Sequence, residues 1–223
     1  MNMLAIIPAR SGSKRLPHKN KLLLSGKPVF QWSIDAALGV PEIGDILVST
    51  DDKDILRIVK GQQSTIALER PKDLSKDDTE TVDVVLHAIE WYEKEKGSVD
   101  AVVLLQPTSP FRKSGTISDA VQIFERNGNR SVVSFSPLHG STSSIYLSEE
   151  SGLNQLIKPH MHLNETSKRE LIVNGAVYIA TPQQLKMERS FINSKTIPFI
   201  MEPSREILDI DTEWDFEVAK LYI

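Results

Sequence analysis

An α/β fold with a mostly parallel sheet is what this sequence predicts, on two observations. Short β-branched apolar runs alternate with helix-length amphipathic stretches from the first residue onward. The runs also lack the polar alternate positions of a strand with one wet face, so both faces are expected to be covered, as in a parallel sheet. Strand–helix alternation with short connections implies βαβ units.

Residues 3–8 form the first such run and end in proline. Residues 45–50 (DILVST), 100–106 (DAVVLLQ) and 131–135 (SVVSF) repeat the pattern, and 173–180 and 196–201 resume it later. Residues 79–96 read as a helix, because Val82, Val85, Leu86 and Ile89 fall at i, i+3, i+4 and i+7, and Gly97 supplies the stop. Residues 114–127 read as another, with Ile117, Val121 and Phe124 or Ile123 turned inward. A last helix is expected from about Asp211, with a capping box of Thr212 and Asp215 and one face formed by Trp214, Val218 and Leu221. Residues 136–169 break the rhythm: they mix Pro, His, Ser and Asn with apolar residues and sustain no period. A tethered stretch of that kind is expected to bind ligand or to reach a partner subunit.

Composition narrows the function classes. With 223 residues, 40% hydrophobic and 25% charged, the chain can bury a core, and one domain spanning 1–223 is the expectation. The net charge of −4 offers no global basic field for nucleic acid. The absence of cysteine excludes disulfides, thiolate zinc sites and a cysteine nucleophile, and it suits the cytoplasm. No apolar run approaches the roughly 18 residues of a membrane span. The apolar residues 1–9 are too short for a secretory core and are followed by charge.

Three constellations carry chemistry. In residues 6–20 (IIPARSGSKRLPHKN) an apolar strand opens into a loop with Arg10, Lys14, Arg15 and Lys19 around Ser11, Gly12 and Ser13, and Lys21 follows. Positive charge is thereby concentrated at the carboxyl end of the first strand, where open α/β sheets bind ligands. Turn-forming backbone and several cations suit a polyphosphate. Neither GxxxxGK[ST] nor GxGxxG is present, which weakens a kinase or dehydrogenase reading. In residues 104–112 (LLQPTSPFR) two prolines set the turn around Thr108 and Ser109, and Gln106 offers both a donor and an acceptor for a base or sugar edge. In residues 207–211 (ILDID), Asp209 and Asp211 on a strand would project to one face, where magnesium shared with substrate phosphates is the natural counter-ion. Asp211 also suits the N-cap of the final helix.

Weaker features have simpler readings. Asn174-Gly175 suits a turn, Thr50-Asp51-Asp52 a helix cap, and His87 a core edge. His160 and His162 lack a third ligand, and Ser109 lacks a matched histidine and acid.

Together with VSTDD at the second strand, ERPKDL at 69–74, NGAVYI at 174–179 and DIDTEWDF at 209–216, these blocks resemble the CMP-sialate synthetases (acylneuraminate cytidylyltransferases) in order over essentially the whole chain. The resemblance implies a Rossmann-like core of the nucleotidyltransferase type and a homodimer with a protruding arm over 136–169. It implies that the anomeric hydroxyl of a nonulosonic acid attacks the α-phosphorus of CTP and expels pyrophosphate. Carried over residue by residue, Arg10, Ser13 and Lys14 bind the triphosphate, with Arg10 and Lys14 neutralising charge in the transition state. Lys19, Asn20 and Arg70 complete the nucleotide contacts. Gln106, Thr108, Ser109, Asn174 and Tyr178 face the sugar acid, and Asp209 and Asp211 hold magnesium, Asp211 also counting as catalytic. One position departs: family members often carry a basic residue two before the NG pair, where this chain has Ile172, with Lys168 and Arg169 nearby. Octulosonate (KDO) cytidylyltransferases, other sugar nucleotidyltransferases and a non-catalytic nucleotide-binding subunit are the alternatives. The opening loop argues against the first two, and the retained charge pairs against the third.

Overall fold

The structure, a computed structural model, describes residues 1–138, 146–149, 152–155 and 170–223. Its centre is a seven-stranded sheet in the order β11-β7-β10-β6-β1-β4-β5. The strands are β1 (Met3–Pro8), β4 (Ile43–Thr50), β5 (Ile66–Glu69), β6 (Ala101–Leu104), β7 (Val132–Pro137), β10 (Leu171–Ala180) and β11 (Ile197–Ile200). β1 pairs in parallel with β4 and β6, β4 with β5, and β7 with β11, whereas β10 is antiparallel to both β6 and β7. The mostly parallel sheet is therefore as expected, with one reversed strand that periodicity alone does not reveal. β2 (Leu23–Leu24) and β3 (Lys27–Pro28) form a small hairpin, and the backbones of β8 (Tyr146–Glu149) and β9 (Gly152–Gln155) pair as a separate two-stranded sheet.

The continuous apolar runs arise because both faces of the sheet are covered. Met3, Ala5 and Ile7 of β1 join one core with Phe30 and Ile34 of α1 (Val29–Leu38), Ile55 and Val59 of α2 (Lys53–Lys60), and Ile117, Val121 and Phe124 of α4 (Ser114–Arg126). Leu4 and Ile6 point the other way, into a core with Val82, Val85, Ala88 and Ile89 of α3 (Thr81–Glu95) and with Leu185 of α5 (Pro182–Glu188). α3 and α4 lie where their apolar stripes predict, with Phe124 rather than Ile123 fully buried. Gly97, at φ +114°, ends the α3 segment in a conformation that favours glycine.

A third, smaller core gathers Leu16, Leu24, Val29, Phe111, Ile210, Phe216 and Ala219. It ties the loop after β1 to the turn after β6, to the 209–211 segment and to α6 (Glu213–Lys220). Three expectations are corrected here. Residues 209–211 are not a strand of any sheet, although their burial still alternates: Ile210 is buried and its N–H bonds Thr108 O at 2.8 Å. α6 carries the expected Thr212/Asp215 capping box, but it buries Phe216 and Ala219, and Trp214 and Leu221 face solvent. The break in rhythm begins later than residue 136, since β7 runs through Pro137. Most of the expected arm over 136–169, with His160, His162, Lys168 and Arg169, lies outside the described residues. Among the described residues no helix is long and apolar enough to cross a membrane.

Asp52 fixes the turn where β4 meets α2. It caps the helix by accepting from the N–H groups of Asp54 (2.8 Å) and Ile55 (3.3 Å), and Lys21 pairs with it at 2.9 Å. Burial pushes its carboxyl up, but Lys21 and the two N–H groups outweigh this and hold it below its ordinary 3.8. Asp52→Ala should cost about 1–2 kcal/mol at neutral pH. A group held low contributes fully above its unfolded value and loses that contribution as pH falls through the lowered one. The gap between wild type and variant in urea unfolding should therefore close below pH 3.8, and a gap independent of pH would contradict this role.

Candidate active site

The chain runs outward from β1 through β4 to β5, then returns to place β6 on the other side of β1. Such a reversal opens a crevice at the carboxyl ends of the two central strands, because the connections leave β1 and β6 in opposite directions. A cleft of about 580 Å³ lies there. Pro8 and the loop after β1 form one wall, Arg70 comes from the end of β5, and Gln106, Pro107 and Thr108 follow β6.

The loop after β1 is held by its neighbours. Asp51 accepts from the N–H and hydroxyl of Ser11 at 2.7 and 2.6 Å, the Thr50 hydroxyl bonds Ala9 O, and the Asn20 amide bonds Arg10 O at 2.8 Å. Asp52 rather than Asp51 is the helix cap of the TDD triplet. Arg10, Ser13, Lys14, Lys19 and Asn20 all line the cleft. Arg70 joins them from beneath. It is 5% exposed, donates to Ser49 Oγ at 3.1 Å and Ser49 O at 2.6 Å, and burial lowers its pKa to about 10. It stays a cation at neutral pH.

Two carboxylate groups meet these cations. Asp77 bridges Arg10 at 3.2 Å and Lys14 at 2.8 Å, while Arg10 also donates to Lys76 O at 2.8 Å. The Asp77 contact raises the Lys14 pKa. Asp77 was not apparent from the sequence, where it sits among ordinary loop charges. Asp211 accepts from Arg15 at 2.7 Å and Lys19 at 2.9 Å. Partial burial pushes its carboxyl up, but these cations prevail and hold it low.

Asp209 behaves differently. It opens onto the cleft, yet the protein around it displaces enough water to push its carboxyl up, against a hydrogen bond from Thr108. The neighbouring charge of Asp211 pushes the same way. Among the described residues no cation bonds Asp209, and no cluster of three or more His, Asp or Glu forms. A raised, uncompensated carboxylate beside a second one fits a site completed by a divalent cation and by ligand oxygens rather than a closed protein cage. Tyr178 stands behind Asp209: burial first, then the Asp209 charge, raises its phenol to about 12.

The remaining acceptor-side residues separate into two layers. Gln106 and Thr108 line the cleft. Asn174 and Ser109 do not. Asn174 Oδ1 accepts from Ser134 Oγ (2.6 Å) and the N–H of Ala176 (3.1 Å), and its amide donates to Ser136 Oγ (3.0 Å). These bonds brace a bulge in β10, where the register with β7 shifts between Val173 and Tyr178 and Gly175 sits at φ +79°. Ser109 is fully buried. His87 is half-buried on α3, away from the cleft lining. Arg112, the last residue of LLQPTSPFR, is also buried and had no role in the sequence reading; its place within that block was the available signal.

The cytidylyltransferase family model matches residues 4–155. CMP-N,N'-diacetyllegionaminic acid synthase of Legionella pneumophila is 38% identical over 99% of this chain and 95% of its own length. N-acylneuraminate cytidylyltransferase of Escherichia coli is 33% identical over 97% of this chain, which spans 51% of that protein. Among solved structures, CMP:2-keto-3-deoxy-manno-octonic acid synthetase in complex with CTP superposes over 100% of this chain and 98% of its own, with a TM-score of 0.72 at 18% identity, a likeness of fold. On the strength of the matched model and of a relative 38% identical over nearly the whole of both chains, the chain belongs to the cytidylyltransferase family.

Proposed function

We propose that the protein transfers CMP from CTP to the anomeric hydroxyl of a sialic-acid-like nonulosonic acid and releases pyrophosphate. The observation that carries this reading is the convergence of Arg10, Lys14, Lys19 and Arg70 with Asp209 and Asp211 in one cleft, in a chain 38% identical to a CMP-nonulosonic acid synthase. The attacking hydroxyl forms a bond to the α-phosphorus, the bond to the bridging oxygen of the β-phosphate breaks, and the hydroxyl proton passes to solvent. Such a displacement asks for positioning and charge relief rather than covalent help.

Arg10 and Lys14, released from Asp77, would neutralise the triphosphate and the charge that grows on departing pyrophosphate. Ser13, Lys19, Asn20 and Arg70 would complete the nucleotide site. Gln106 and Thr108 would face the sugar acid, with Tyr178 beside Asp209, while Asn174 and Ser109 support them from behind. Asp209 and Asp211 are the residues that would hold magnesium. Bound there, the ion would polarise the α-phosphate and acidify the attacking hydroxyl. A cytoplasmic location goes with this reading, since the cysteine-free sequence suits that compartment.

A pyrophosphate-release assay crossing the four nucleoside triphosphates with N,N'-diacetyllegionaminic acid, N-acetylneuraminic acid and an octulosonate tests the reading. Turnover is expected only with CTP, a nonulosonic acid and a divalent cation. Equal rates with ATP, with excess chelator, or with the octulosonate alone as acceptor would remove it. Lys14→Ala and Asp211→Ala should each lower kcat by about 100- to 1,000-fold in folded protein. Near-wild-type turnover by either would show its role misassigned.

The arm proposed for 136–169 makes the protein a homodimer. Both ends of the stretch are tethered to the sheet, at β7 and β10. Its Leu138, Ile145, Tyr146, Leu147, Leu153, Leu156 and Ile157 sustain no period, and a two-fold partner would cover them reciprocally. Light scattering at micromolar concentration should give twice the chain mass of 25.0 kDa, and a value near the single chain would replace the arm with a monomeric lid.

A further inference from the structure

Arg112 is 3% exposed, and its guanidinium reaches three separate segments. Nη2 donates to Ser33 Oγ of α1 at 2.7 Å and to Gln106 O, just after β6, at 3.3 Å. Nη1 donates to Ala176 O in the bulge of β10 and to Gln106 O at 3.4 Å. Among the described residues these acceptors are carbonyl and hydroxyl oxygens, and Nε is buried without a partner. Glu206, the carboxylate whose charge it feels, is engaged by Lys113 at 2.8 Å and by Thr116 at 2.5 Å. Burial lowers the Arg112 pKa to about 9, so it remains charged at neutral pH. A buried cation without a carboxylate is costly, and an apolar side chain of similar size fills space without that cost. A planar fork that bonds several acceptors at once is what an apolar residue or a lysine lacks.

The same two segments meet again on the other side of Gln106. A Cβ on Gly175 would lie 3.1 Å from Gln106 Oε1 and 3.7 Å from Ser109 Oγ. The Gln106 carbonyl is thus held by Arg112, while its side-chain oxygen rests against the bulge that Arg112 also holds through Ala176 O. Asn174, Ser134 and Ser136 brace that bulge from β7, with Val177 N–H bonding Ser134 Oγ at 2.8 Å. The orientation of the Gln106 amide therefore depends on the bulge and the turn keeping their distance, and Arg112 is the group bonded to both.

We propose that Arg112 is a positioning residue for the acceptor half of the cleft, clamping the turn after β6 to the β10 bulge so that Gln106 presents its amide in one orientation. This rests on the reading that Gln106 contacts the sugar acid.

The test uses the full chain with three substitutions: Arg112→Lys, which keeps a basic group but not the fork; Ser33→Ala, which removes one acceptor; and Gly175→Ala, which strains the bulge at φ +79° and brings a Cβ against the Gln106 side-chain oxygen. Each should raise KM for the nonulosonic acid by about 10- to 100-fold while KM for CTP stays within about twofold, since a misplacement near 1 Å is enough for such a loss. Amide hydrogen exchange of Arg112→Lys, read against wild type without substrates, should accelerate at 105–109 and 174–178 and not at the loop after β1. Unchanged exchange there, an unchanged acid KM in the folded variants, or both KM values rising together would overturn the proposal. Should Arg112→Lys fail to fold, Ser33→Ala and Gly175→Ala decide it. Wild-type protein that turns over no acid would sink the functional reading instead, and the exchange comparison would still judge the clamp.

Discussion

Arg10, Lys14, Arg15, Lys19 and Lys21 crowd one short loop, and such a cluster repels itself unless the fold supplies opposite charge at the right places. Asp77 meets Arg10 and Lys14, Asp211 meets Arg15 and Lys19, and Asp52 with Asp54 meets Lys21. The pairs differ in consequence. Asp52 is buried and caps a helix, so its partner Lys21 is structural. Lys14 and Asp77 are exposed at 81% and 44%, and an accessible pair of that kind contributes little stability and is readily exchanged. Under the proposed function, Asp77 occupies the place of an incoming phosphate, and the exchange of one anion for another leaves the loop charge-balanced in both states.

Balance of charge would not hold the loop in register without apolar burial beneath it. Leu16 anchors the loop, Phe111 the turn after β6, Ile210 the carboxylate segment and Phe216 the last helix, all within one small core. Full burial of such side chains stabilises by about 1.5–3 kcal/mol each. Ile210 explains how Asp209 and Asp211 share the cleft without a sheet: the residue between them is pulled inward, and both its neighbours line the cleft. Edge contacts at 5.8 Å from Phe111 to Trp32 and to Tyr222 extend this core toward α1 and the chain end.

What the sequence made legible was local. A continuous apolar run means a covered strand, a 3.6-residue stripe means a helix, and Thr-x-x-Asp means a cap, because each pattern reports on neighbours within one turn or pleat. β1, α3, α4 and the cap of α6 follow directly, and so does the cation cluster at the end of β1. What needed the structure was pairing across distance. The reversal of β10 depends on which strands it meets, not on its own residues. Trp214, Val218 and Leu221 make a stripe as regular as a buried one, yet third-core packing selects Phe216 and Ala219. Asn174 reads equally well as a turn residue or a ligand contact until Ser134 and Ser136, some forty positions earlier, are seen to satisfy it.

The displaced ionisations sort by place, and that distribution constrains the reading of the cleft. Arg70 is lowered to about 10 and Arg112 to about 9, Tyr178 is raised to about 12, and Asp209 is raised. All four lie at the end of the sheet where β1, β5 and β6 run out. At the opposite end Tyr92 is raised by burial and by Asp45, whose carboxylate it bonds at 2.5 Å, so that group is satisfied within the fold. Among the described residues Arg70 and Arg112 hydrogen-bond to neutral oxygens, with Asp51 and Glu206 acting on them as charges nearby, and no cation bonds Asp209. A fold selected for stability alone would replace such groups or pair them, since each weakens the native state. Under the proposed function their compensation would come from outside the chain, from ligand phosphates for Arg70 and a divalent cation for Asp209. Arg112 is the exception, because its bonds run inward to the backbone. Its charge is tolerated for the geometry that its fork imposes on the turn and the bulge, and not for contact with any ligand.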